Sequence, residues 1–256
     1  LPGAAVFAST LCDRSAGNIG GVKLAVLGPI RVLRDDAPID LGTPRQRAVI
    51  AALALAQGER VSVEGLADRV WGHSPPVSAT ATLHSYIGKL RRILEPERGP
   101  REAAAVLVRE HSGYALRIPA ADRDDVALQR TVTTARATLT ELVDLDRPSA
   151  TGAAAARVEQ VATALDTQLS GWRGEPYPEL DEYPDAVAER VRLADLRAAA
   201  RELRIVARLA IGEHNELVGE LATLCAENPL HERWWSLWAV ALFRCGRLPD
   251  SLAALQ

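Results

Sequence analysis

Methionine is missing altogether from this 256-residue chain, and Lys23 and Lys89 are its only lysines, so 28 of the 30 basic residues are arginines. With Ala so abundant, that bias reads as GC-rich coding and carries no mechanism. A start without Met fits a processed or truncated chain, or translation from an unusual start codon. Cysteine is scarce: Cys12, Cys225 and Cys245 are far apart, odd in number and without CxxC spacing. That excludes a disulfide framework and a thiolate metal site, and leaves free thiols in a reducing compartment. Aromatics are only 4%, so Ala, Leu and Val must fill the cores, which favours helix over sheet. No run approaches the roughly 18 apolar residues of a membrane span. No phosphate loop, HExxH, nucleophile elbow or dinucleotide fingerprint occurs. The five histidines are scattered, and His73, His214 and His231 read as solvated or capping residues. The expectation is a cytoplasmic protein that is not an enzyme, has no cofactor or metal and makes no membrane contact.

The length suits one large domain or two ordinary ones. A net charge of −3 hides an asymmetry. Residues 22 to 121 hold 14 Lys and Arg against 10 Asp and Glu, whereas residues 122 to 256 hold 15 against 22. A basic half joined to an acidic one suits a nucleic-acid reader tethered to something else. Residues 1 to 21 are small and Gly-rich, lack the basic start of a secretory signal, and read as a disordered tail.

The most informative stretch runs from Ser78 to Leu94. At helical spacing Leu83, Ile87, Leu90 and Leu94 fall on one stripe, with Tyr86 and Ile93 at its edge. The opposite face carries His84, Ser85, Gly88, Lys89 and Arg92, flanked by Thr82 and Arg91. Short hydroxyls, a glycine and three cations suit phosphates and base edges better than they suit a plain solubilising face. An ordinary amphipathic surface helix is the bland reading, and the neighbouring elements weigh against it.

Two apolar β-branched runs, 22 to 27 and 30 to 33, predict short strands broken by Gly28-Pro29. Thr43, Pro44 and Gln46 predict a capped helix start, and Ser62 caps a second helix that ends at Gly72. Residues 106 to 118 read as a hairpin turning near His111, Ser112 and Gly113. Strands, three helices and a hairpin make a winged helix: its third helix enters the major groove and its hairpin reaches the neighbouring backbone.

The acidic half reads as helix throughout. Asp124-Asp125 and Asp181-Glu182 sit at helix starts, where they favour the dipole. Gly212 and Gly246 are 34 residues apart, the tetratricopeptide period. In that register Pro229 closes one repeat, Trp235 is the signature Trp, and Ala239 is the small residue where paired helices touch. Trp235 and Trp238 then face the repeat core, and Trp234 points elsewhere, as the lid of a groove or a partner anchor.

The ordered set Gly28-Pro29, Pro44-Arg45-Gln46-Arg47, Val70-Trp71-Gly72, Tyr86-Ile87, Leu90-Arg91-Arg92 and Gly113-Tyr114 resembles the response-regulator type of winged helix. Trp172 to Pro176 and Asn228 to Arg247 resemble a bacterial transcriptional activation domain. Together they are similar to the Streptomyces antibiotic regulatory protein family of transcriptional activators. The chain is therefore expected to be mostly α with a small β component. Residues 22 to 120 would form a winged helix-turn-helix, and residues 122 to 256 a tetratricopeptide-like domain ending before the family domain does. The resemblance implies binding to promoter direct repeats as a homodimer or side-by-side copies. It also implies recruitment of RNA polymerase holoenzyme through its sigma and core subunits, for an antibiotic gene cluster.

Candidate DNA contacts are Lys89, Arg91 and Arg92 on the third helix, with His84, Ser85 and Thr82 nearer its start, where bases are read. Arg45 and Arg47 follow a helix N-terminus, and Arg109 and His111 belong to the wing. A scaffold that captures a peptide, or a repressor on the same fold, are the alternatives.

Overall fold

A computed structural model describes residues 21–72, 74–99, 101–145, 150–180 and 183–255. The expected tail (Gly21 apart), His73 and the Asp181-Glu182 pair lie outside these described residues. Strands β1 (Val22–Ala25), β2 (Arg31–Arg34) and β3 (Ala37–Pro38) form an antiparallel sheet in that order. Helix α1 (Pro44–Leu55) starts at the predicted box: Thr43 Oγ1 accepts from the Gln46 amide, and the Gln46 side chain accepts from the Thr43 amide. Its residues 48 to 54 are all buried, so α1 is the central pillar and not a surface helix.

Ser62 caps α2 (Val63–Trp71) through the Gly65 amide at 3.0 Å. Helix α3 (Ala79–Leu94) buries Leu83, Ile87, Leu90 and Leu94, the stripe expected from spacing. The wing is β5 (Leu107–Glu110) and β6 (Gly113–Leu116), and β4 (Val61–Ser62) joins its β6 edge. A Cβ on Gly113 would lie 2.2 Å from the Val61 carbonyl oxygen, so glycine is what lets β4 pair there.

Among the described residues the second half is built on helices: α4 (Asp124–Leu142), α5 (Gly152–Ser170), α6 (Pro184–Ala210), α7 (His214–Glu227), α8 (Glu232–Arg244) and α9 (Leu248–Ala253). Gly212 and Gly246 take positive φ just past α6 and α8, so the 34-residue spacing marks equivalent helix ends. Ala239 is buried, and the Ser251 hydroxyl of α9 reaches its carbonyl at 2.8 Å. The tetratricopeptide-like pairing of α8 with α9 therefore closes at that small residue.

The tryptophans need a correction. Trp234 does not point away: it is 4% exposed, packs in the core of α6, α7 and α8, and stacks on His231 at 4.4 Å. Trp235 is partly exposed and donates Nε1–H to the Pro229 carbonyl at 3.0 Å. Helix α8 is apolar on two sides, with Trp234, Leu237 and Ala241 turned to this core. Spacing alone therefore could not choose between the two stripes. Trp234 is a core side chain and not a partner anchor.

The apolar core does not divide where the charge changes sign. The apolar cluster around the sheet and α1 to α3 runs on through Leu128, Val132, Leu165, Tyr177, Leu180 and Leu193 of the acidic half. Arg123 and Asp125 make a buried two-bond ion pair at 3.1 and 2.9 Å, and Arg123 also donates to the Ala54 carbonyl of α1. Asp124 does more than favour a helix dipole: it accepts from the amides of Val26 and Leu27. Burial raises its pKa, partly countered by those two bonds. From the segment after α5, Arg173 donates its amide to Leu27, and Glu179 accepts from Ile30. Tyr177, 1% exposed, is shared by both halves. Tyr177→Ala, a core truncation of about 3–5 kcal/mol, should lower one shared melting transition followed by far-UV signal, without splitting it in two.

Candidate nucleic-acid interface

Helix α3 is fixed at both flanks before it offers anything to a ligand. At its C-terminal end Arg34 Nη2, reaching from β2, donates to the Ile93 and Leu94 carbonyls, each at 2.8 Å. Such a cation satisfies carbonyls that a helix end leaves unpaired, and it complements the dipole. Glu95, just beyond, accepts from the amides of Ala105 and Val106 and so pins the strand entering the wing. Toward α2, the Trp71 and Tyr86 rings stack at 6.5 Å.

Arg91 works inward. Its Nε donates to the Leu107 carbonyl at 2.8 Å, and its guanidinium lies 5.6 Å from the centre of the Tyr114 ring. Burial lowers its pKa from the usual guanidinium value. Arg91 therefore ties α3 to the wing. Arg45 and Arg47 are similarly engaged: Arg45 Nη1 donates to the Val70 carbonyl, and Arg47 Nη1 to that of Gly42 at 2.7 Å.

The outward face is what remains. His84, Ser85, Gly88, Lys89 and Arg92 are exposed, and Thr82 is half-buried beside them. Arg92 makes only a 3.3 Å bond to the Gly88 carbonyl one turn back. Lys89 and the exposed Arg109 have no carboxylate partner among the described residues. His84 meets Tyr114 edge-on at 6.2 Å, bringing the start of α3 to the wing. His111 takes φ +47° at the wing tip. Nothing lies within 4 Å of a Cβ built on Gly88, so no packed helix crossing accounts for that glycine.

Two residues escaped the sequence reading. Arg60 stands exposed just before β4 and donates to the Ser112 hydroxyl of the wing turn at 3.3 Å. Arg34 acts on carbonyls about 60 positions away. Neither belongs to a periodic pattern, and only the folded sheets reveal their partners.

Comparison with known proteins follows this division of the chain. Residues 36–116 match the family model "Transcriptional regulatory protein, C terminal", and residues 138–256 match "Bacterial transcriptional activator domain". Regulatory protein DnrI of Streptomyces peucetius is 31% identical over 236 residues, covering 91% of this chain and 82% of DnrI. The chain belongs to the Streptomyces antibiotic regulatory protein family. Regulatory protein AfsR of Streptomyces coelicolor is 34% identical over 234 residues, which span 91% of this chain and 21% of AfsR. The solved structure of Mycobacterium tuberculosis EmbR in complex with a low affinity phosphopeptide superposes with a TM-score of 0.73 at 28% identity. That match covers 91% of this chain and 57% of EmbR. The chain thus spans about a fifth of AfsR and little more than half of EmbR. Both matched family models describe the regulation or activation of transcription. No helix among the described residues is long and apolar enough to cross a membrane.

Two substitutions separate support from display in this family member. Arg34→Ala removes two charge-assisted bonds and should lower stability by about 1.5–3 kcal/mol. Gly88→Ala, on an open helix face, should raise it by about 0.5–1 kcal/mol. Chemical denaturation midpoints of the two variants check both signs.

Proposed function

We propose that the chain is a cytoplasmic, sequence-specific DNA-binding activator that sits on promoter direct repeats and recruits RNA polymerase holoenzyme to an antibiotic gene cluster. The observation that carries the reading is the outer face of α3. It is a hydroxyl- and imidazole-bearing start followed by cations, with an open glycine between and no acidic side chain. His84, Ser85 and Thr82 read bases, because the early turns of such a helix enter the groove first. Lys89, Arg92 and Arg109 hold phosphates, with Arg60 and His111 beside the wing turn. Arg45, Arg47 and Arg91 act as positioning residues, since each donates to a backbone carbonyl outside its own helix, whereas Arg92 bonds only within α3. The bacterial activator domain matched over residues 138–256 supports activation over repression. The family resemblance supports adjacent copies on direct repeats.

Three phosphate contacts per protomer give a slope of about −2.7 for log K against log[salt] on duplex DNA. A slope near zero in filter-binding titrations would remove DNA binding from this face. Arg92→Ala should weaken specific and random duplexes alike. Ser85→Ala or His84→Ala should instead narrow the difference between them by about 1–3 kcal/mol, the worth of a base contact. Equal losses on both duplexes for all three variants would contradict the sorting into readers and anchors.

A further inference from the structure

The outward side of α6 carries two features that its packing leaves unused. The first is an apolar seam. Val187, Val191, Ala194 and Ala198 follow one another at steps of four, three and four, the spacing that forms a single line along a helix meant to meet another. Val187 is 45% and Val191 59% exposed, Ala194 is exposed, and Ala198 is half-buried. Arg201 comes three residues further along the same line.

The second feature concerns charge. Helix α6 holds six arginines, and four of them have carboxylate partners. Arg190 meets Glu175 at 3.6 Å, and Arg192 meets Glu189 at 2.7 Å. Arg204 meets Asp166 and Glu220, while Arg208 meets Asp166 and Glu213. Arg197 and Arg201, one turn apart beside the seam, have none among the described residues. Arg197 is held over the Trp172 ring at 4.5 Å, and its Nε is buried without a hydrogen-bond partner. Burial, and then the like charge of Arg201, lower its pKa. Among the described residues these two neighbouring cations have no answering carboxylate, although their half carries 22 acidic residues. Stacking on Trp172 fixes one of them in place beforehand.

We propose that this side of α6 docks an amphipathic helix of a partner protein, its apolar residues on the valine–alanine seam and its carboxylates on Arg197 and Arg201. The chemistry is that of helix recognition with apolar anchors at three- and four-residue steps. Exposed Asp195 on the other flank gives the seam a polarity that orients the incoming helix. A second copy of this chain fits less well. Parallel pairing of two α6 helices sets Arg201 against its own equivalent, and antiparallel pairing of Val over Ala sets Arg197 beside Arg190. The proposal deepens the activator reading and rests on it for the partner's identity, the polymerase holoenzyme.

The test uses the full chain and two synthetic helical peptides that differ only in flanking charge: one has leucine at its seam and glutamate at its edges, the other lysine in place of glutamate. Fluorescence anisotropy should detect the glutamate peptide alone. Arg197→Gln with Arg201→Gln, and separately Val187→Ser with Val191→Ser, should each weaken that binding at least about tenfold. All of these side chains are partly or fully exposed, so operator affinity, measured in parallel, should stay within about twofold. The same variants should lose polymerase recruitment on promoter DNA. Failure of the wild-type chain to bind the glutamate peptide, or equal binding by the variants, overturns the surface. So does sedimentation showing self-association that Val191→Ser abolishes, since the occupant would then be a second copy. Peptide binding that depends on Arg197 and Arg201, without recruitment by the wild-type chain, would uphold the surface and overturn the activator reading.

Discussion

The structure depends on how the segment after α5 and the start of α4 are seated in the first half. Tyr177 and Leu180 fill space beside α1 that the sheet and α2 do not close. Around them, three backbone amides of the first half, those of Val26, Leu27 and Ile30, end on carboxylates of the second. Arg123 and Asp125 sit inside this joint as a buried pair, where removal of either would leave a charge alone at a cost of about 3–5 kcal/mol. Such a joint is a fixed angle and not a hinge. It sets α3 at a fixed orientation to the helices of the second half.

From that joint α6 extends for 27 residues, about 40 Å at helical rise. Its first half lies in the shared core, with Ala186, Leu193, Leu196 and Ala200. Its last turns, Ile205 to Ala210, belong to the second core with α7 and α8. Asp166 of α5 bridges Arg204 and Arg208, which also reach Glu220 of α7 and Glu213 before it. Because these groups are partly exposed, the network fixes geometry more than it adds stability. At the other end of the chain of contacts, Arg69 of α2 reaches Tyr183 and Asp185 at the start of α6. The winged-helix half and the helical half thus share one framework.

Features legible in the sequence were those decided within one or two helical turns. The capping box at Thr43 and Gln46, the Ser62 cap and the buried stripe of α3 all came from local spacing, and the equivalence of Gly212 and Gly246 came from a repeat period. The candidate DNA face was half legible. Periodicity put Lys89 and Arg92 outward, but it could not tell that Arg91, on the flank of the same helix, is turned to Leu107 and Tyr114. Spacing alone places Trp234 on the wrong side, because α8 is apolar on two sides and only packing chooses between them. Arg34, Arg60 and Tyr177 were invisible because their partners lie tens of residues away or more. The change in net charge near residue 121 suggested a boundary that the apolar core does not respect.

The central claim is that the winged-helix half has no stability of its own apart from the helical half. Native-state hydrogen exchange on the full chain tests it most directly, through the amides of Leu27 and Ile30, which are bonded to Asp124 and Glu179. The account predicts that these amides open with the same free energy as the buried amides of α4 and the first half of α6, near the global value. Exchange of residues 22 to 120 as a separate unit, at an opening free energy clearly different from that of α4, would contradict it.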